Sequence, residues 1–284
     1  MRLSPHSFHG KDFAMTNHLK LALIAATVSL LAPPAQAHRA WLLPSATVLS
    51  GSDLWVTVDG AISNDLFYFE HNPLPLDKLA IEGPDGKAVT PENLAKGRFR
   101  STVDFKLAQP GTYKLSLTHQ GLFASYKLDG ENKRWRGKPD ELAKAIPAKA
   151  TDVKVTENRS RIETFVTSGK PSSDTLKPTG TGLEMIPVTH PNNLAVGEKA
   201  TFRLVLDGKP AGNVAVEIVP GGIRYRDTLN DSKATTDETG TFSITFPEPG
   251  YYWMKASVQD DKSTIKDAQQ RRSTYITTVE VLPQ

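Results

Sequence analysis

A histidine placed directly behind a signal-peptidase site can do chemistry that an internal histidine cannot. In this chain that residue is His38. Ala35-Gln36-Ala37 has the small-residue spacing such peptidases cut, and cleavage there makes His38 the first residue of the mature protein. Its α-amine and its imidazole Nδ1 then close a chelate on one metal ion. Nitrogen-rich donors of this kind suit Ni(II), Co(II) or Cu(II). An α-amine has an intrinsic pKa of ~7.7–8.0, so a metal displaces its proton at neutral pH.

Two nitrogens alone hold an ion weakly, and further ligands are expected. His71, in Phe69-Glu70-His71-Asn72, follows a candidate strand. His119, in Thr118-His119-Gln120-Gly121, ends another. His190, in Val188-Thr189-His190-Pro191, opens the second half of the chain, shortly after Glu184. Strand-end loops of a β-sandwich gather at its two poles, which is where such residues could meet. Plainer roles stay open for each: a surface or hydrogen-bonded histidine at 71 and 119, a turn residue at 190. Arg39, beside His38, repels a cation.

The rest of the composition narrows the chemistry by exclusion. The 284 residues include no cysteine, which removes disulfides, thiolate metal sites and a cysteine nucleophile. A net charge of +3 is too small to argue for nucleic acid. There is no G-x-S-x-G elbow, no H-E-x-x-H, no Walker loop and no G-x-G-x-x-G. No catalysed reaction and no organic cofactor are expected. Gln269-Gln270-Arg271-Arg272 is the one basic cluster near aromatic residues, and a solvated strand end accounts for it as well as an anionic partner does.

The elements that must position these residues read as β. A basic flank, the apolar run 21–32 and the A-x-A site form a signal peptide over 1–37. The run is short of the ~20 residues a membrane span needs, so no stable membrane insertion of the mature protein is expected. Short strand candidates follow, at 54–58, 66–69, 99–107, 112–118, 200–206, 214–219, 241–246, 251–258 and 274–282, each bounded by Gly, Pro, Asn or Asp. Pro139-Asp140-Glu141-Leu142-Ala143-Lys144-Ala145 predicts a short helix ending near Pro147. The Ser-, Thr-, Gly- and Pro-rich stretch 168–182 reads as a linker or long loop. The fold class is therefore all-β. Two Ig-like β-sandwich domains are expected over 38–167 and 183–284, with a short helical insertion in the first. Pro110-Gly111-Thr112-Tyr113 and Pro249-Gly250-Tyr251-Tyr252 form a faint internal repeat in which each third-following tyrosine fills the end of a core and its hydroxyl finds a backbone partner. Two copies of one sandwich plan and convergent turn chemistry both explain it.

The opening Ala37-His38-Arg39-Ala40-Trp41-Leu42-Leu43-Pro44 resembles the start of the DUF4198 family, A-H-x-x-W-L-x-P. Gly182-Leu183-Glu184-Met185-Ile186-Pro187, Asp207-Gly208-Lys209-Pro210 and Thr236-Asp237-Glu238-Thr239-Gly240-Thr241-Phe242 carry the likeness through the second half. These are exported bacterial proteins, often described as periplasmic components linked to cobalt or nickel transport. The resemblance implies a periplasmic two-part β-sandwich, a metal-uptake transporter as partner, and His38, with Glu184, at a metal. The function expected is thus a non-catalytic transition-metal binding or accessory protein. The alternatives are an Ig-like module that binds a protein or glycan through exposed aromatics such as Trp135, and an enzyme, either a glycan-acting hydrolase or a copper oxidase with a histidine brace, which needs a second histidine opposite His38.

Overall fold

Side chains alternate between the faces of a strand, and one sheet of this protein uses both faces for cores. The structure is a computed structural model that describes Met1 and residues 38–284. The expected signal segment otherwise lies outside the described residues. Residues 38–284 form one unit.

Three sheets stack. The first joins β1 (Arg39–Pro44), β3 (Trp55–Ser63), β7 (Ser101–Lys106) and β6 (Glu92–Lys96) in that order, with β4 (Asn72–Pro73) beside β3. The central sheet runs β15 (Ser232–Thr235), β14 (Ala215–Pro220), β17 (Gly250–Asp260), β18 (Gln270–Val281), β10 (Thr151–Ser168), β8 (Gly111–Leu128) and β5 (Ala80–Glu82). Two further strands attach to it: β2 (Val48–Leu49) pairs with β10, and β9 (Glu131–Gly137) pairs with β8. The third sheet holds β11 (Leu183–Pro187), β12 (Lys199–Leu206), β13 (Lys209–Pro210) and β16 (Thr241–Thr245). The all-β class with packed sheets is as the sequence indicates. The one short helix is there too: a 3₁₀ turn at Pro139–Glu141 leads into Leu142–Ala145.

The two cores share strands. Trp41, Phe105, Tyr113 and Leu115 pack with Val219, Trp253 and Ile276 in the first core. The second gathers Phe202, Phe246, Tyr252, Met254 and Tyr275. Trp253 and its neighbours Tyr252 and Met254 thus serve opposite faces of β17. The parallel pairing of β10 with β18, from Thr156↔Gln270 to Thr164↔Thr278, welds the strands of the first half to those of the second. Burying an Ile276-sized side chain contributes ~1.5–3 kcal/mol, so the second half stabilises the first directly. The stretch 168–182 is pinned as it crosses. Ser172 exchanges hydrogen bonds with Thr112, at 2.9 and 3.1 Å, and buried Thr175 donates its hydroxyl to the Thr112 carbonyl.

The two repeat corners match in detail. Gly111 and Gly250 have φ of 129° and 130°, a region that favours glycine. The Tyr113 and Tyr252 hydroxyls each donate to the carbonyl four residues back, Gln109 and Glu248, at 2.9 Å. One expected strand is absent: 66–69 is a turn and loop, because the Glu70 carboxylate accepts the Asn64 and Asp65 amides and curls the segment. Several strands went unforeseen, among them β1, β6, β9 and β11, and the longest of them is the charged β10.

Candidate metal centre

Register brings the first histidine to the second. Strand β1 pairs with one edge of β3 through Arg39↔Ser63, and β4 pairs with the other edge through Ile62↔Asn72. His38 precedes β1 and His71 precedes β4, so both arrive at the same end of β3. Their ring centroids lie 4.2 Å apart, inclined by 51°.

The loop between β3 and β4 is held from several sides. Glu70 accepts the Asn64 and Asp65 amides at 2.7 and 2.9 Å. Trp41, fully buried, packs edge-on against Phe67 and tilted against Phe69, with centroids 5.5 Å apart in each case. Phe67 sits at φ 62°, a conformation that costs a bulky residue of order 1 kcal/mol or more. Its contacts with Trp41 and Tyr251 offset that cost. Asn64 Nδ2 lies 2.9 Å from His71 Nε2, which leaves Nδ1 as the ring nitrogen without a protein partner among the described residues. Arg39 is turned onto the Asn64 carbonyl and onto Glu217 at 3.4 Å, so much of its charge is answered locally.

The other candidates lie elsewhere and have work of their own. His119 is exposed on β8, opposite Ser160. The buried Glu184 carboxylate accepts from the Thr179, Gly180 and Thr181 amides and from the Thr179 hydroxyl, with Arg161 3.6 Å away. It organises a turn. His190 accepts the Asn192 amide at Nδ1 and places Nε2 3.0 Å from Thr112 Oγ1 and 3.2 Å from the Ser172 carbonyl. Burial lowers its pKa, partly opposed by the Ser172 carbonyl. Trp135 is half-buried against Leu122, Ala124, Leu142 and Val155 rather than displayed. Among the described residues no group of three or more His, Asp or Glu side chains converges as a metal site. An ion at His38 would rest on two imidazoles and main-chain nitrogen.

Sequence reasoning did not single out Asn64 or Glu70. The signal for both was slight: Asn64-Asp65 opens, and Glu70 closes, the segment directly before His71.

The DUF4198 family, described as a domain of unknown function, matches residues 35–260. The chain belongs to this family. No curated protein matches it. Among solved structures it is similar to the D0-D1 domain of intimin, at 14% identity over 85% of this chain and 97% of that one, with a TM-score of 0.22. The human OSCAR ligand-binding domain gives 13% identity over 86% and 99%, with a TM-score of 0.19. Salmonella alpha-2-macroglobulin (mutant Y1175G) gives 13% over 89% and 15%, with 0.22. These likenesses are slight. The DUF4198 match includes the His38 opening and ends before β18, which adds Ile276 to the first core and Tyr275, Val279 and Val281 to the second. No helix among the described residues is long and apolar enough to cross a membrane.

Proposed function

We propose that this DUF4198 protein is a periplasmic, non-catalytic transition-metal binder serving an uptake system, and that it holds one Ni(II), Co(II) or Cu(II) ion at His38 and His71. The 4.2 Å approach of the two rings carries the reading. After cleavage the donor set is the His38 α-amine, its imidazole and the His71 imidazole, and such a set fits borderline metals. A second observation supports it. The Asn64 side-chain amide lies 2.9 Å from His71 Nε2. Turning that amide over sets Oδ1 against His71 Nε2–H and leaves the Nδ1 lone pair for the ion. Ligating histidines are commonly fixed this way, through a hydrogen bond at the other nitrogen. The bound ion would supply a fixed positive charge at the end of β3, to be handed on or sensed.

The test compares protein that begins at His38 with protein carrying one extra N-terminal alanine, by competition titration with Ni(II) and Cu(II). The extra residue is expected to weaken binding by at least ~100-fold, since it removes the amine from the chelate. Equal affinities would overturn the proposal. The same ring pair also favours a copper oxidase as a second reading. Ascorbate-driven oxygen consumption by the copper-loaded protein, absent from the His71→Ala variant, would select it.

A further inference from the structure

Strand β8 is paired along one edge without a break, from Gly111↔Ser168 to Ala124↔Val155. Its other edge is interrupted. Strand β5 covers it up to Ala80↔Ser116, and β9 resumes only at Leu122↔Gly137. Between them residues 117–121 have no ladder partner on that side among the described residues. A gap of this length spans ~17 Å at the usual rise of ~3.4 Å per residue. Thr118, His119 and Gln120 are exposed in the middle of the gap, and Leu117 and Gly121 at its two ends are buried. Open backbone donors and acceptors of this kind are a template for an added strand.

The gap opens into a groove of about 1470 Å³. Its lining includes Lys78, Arg136, Lys138, Arg159, Arg161 and Arg272 against one carboxylate, Glu141. Arg159 is answered by Glu157, and Arg161 by Glu163 and Glu184. The other four cations form no ion pair among the described residues. Arg136, next to the gap, lies over the Phe123 ring, 5.6 Å from its centroid, whereas Arg272 stands on β18 beyond β10 and reaches Gln259 at 3.4 Å. Glu141 is partly occupied, since its Oε2 accepts the Lys138 amide.

We propose that this interrupted edge receives a short, extended, acidic peptide segment of a partner protein. The segment adds four or five residues as a strand against 117–121, and its carboxylates meet Arg136, Lys78 and Lys138. Main-chain bonds supply the docking and the cations select the partner.

The experiment titrates ¹⁵N-labelled protein with the pentapeptide acetyl-Glu-Val-Asp-Val-Glu-amide. Amide shifts are expected at 117–121. Binding should fall at least ~10-fold in the Arg136→Ala/Lys138→Ala double variant and vanish for the same peptide N-methylated at alternate residues. Three results would each overturn the proposal: no binding of the pentapeptide, equal binding of its N-methylated form, or binding of a heparin-derived tetrasaccharide in its place, which would make the groove a glycan site.

Discussion

The Trp41 indole N–H donates to Ser63 Oγ at 2.9 Å, and Ser63 Oγ donates in turn to the Asp65 carbonyl at 2.6 Å. This relay ties the strand that carries His38 to the loop that carries His71. It gives the A-H-x-x-W opening a physical sense: the tryptophan clamps the loop that presents the second ring.

Trp41→Phe keeps an aromatic ring but deletes the donor and part of the buried volume. A loss of ~2 kcal/mol is expected from the broken hydrogen bond and the space left behind. Urea denaturation measures it. Nickel affinity should fall in the same variant, because the His71 loop loses its anchor.

His71→Ala should weaken Ni(II) or Cu(II) binding at least ~10-fold, by analogy with other losses around metal-bound histidines. His119→Ala should leave affinity unchanged, since His119 stands on β8 opposite Ser160 and away from the end of β3. Calorimetric titration of the two variants separates the pair that converges from the one that does not.

Glu157 makes the protein sensitive to acid. Burial alone would push its carboxyl up, but hydrogen bonds from Arg159, Ser263, Thr264 and Gln120 bring it from 4.5 down to about 2. The folded state therefore binds this proton less tightly than the unfolded chain. The contribution is complete above pH ~4.5, and it is lost as the pH falls through about 2. It amounts to about 3 kcal/mol. Unfolding free energies measured between pH 5 and 2 should drop less steeply in Glu157→Gln than in the parent.

The two corner tyrosines should differ in worth. Tyr113 OH donates to the Gln109 carbonyl and also accepts the Gln109 amide at 2.9 Å. Tyr252 OH donates to Glu248 alone. Tyr252→Phe should cost ~1 kcal/mol, and Tyr113→Phe more, because it strands a second group. Thermal unfolding of both variants ranks them.

What was legible in the sequence follows from where the physics is local. The PGxY corners, the short helix begun by Pro139 and the apolar strands of both cores announce themselves through turn residues and alternation. The Thr236-Asp237-Glu238-Thr239-Gly240 block does too: Asp237 Oδ1 accepts the Thr239 and Thr241 amides, and Gly240 takes φ 79°. Strand β10 hid itself. Its Glu157, Arg159, Arg161 and Glu163 look like a solvated stretch, yet they lie on one face and pair with each other, Glu157 with Arg159 and Arg161 with Glu163. Long-range pairing turns a charged run into the middle of a sheet. The candidate site shows the same limit. His38 could be singled out from its cleavage site, but the choice of His71 over His119, His190 and Glu184 depends on register with β3.

Sharing the central sheet also constrains how this protein can change over evolutionary time. Many Ig-like proteins grow by duplicating or exchanging domains as cassettes. Here the later part of the chain supplies Val219, Trp253 and Ile276 to the core beneath the earlier part. A swap of either half would have to bring matching inner faces for β14, β17 and β18 along with it. The two halves must therefore be inherited, and must drift, together.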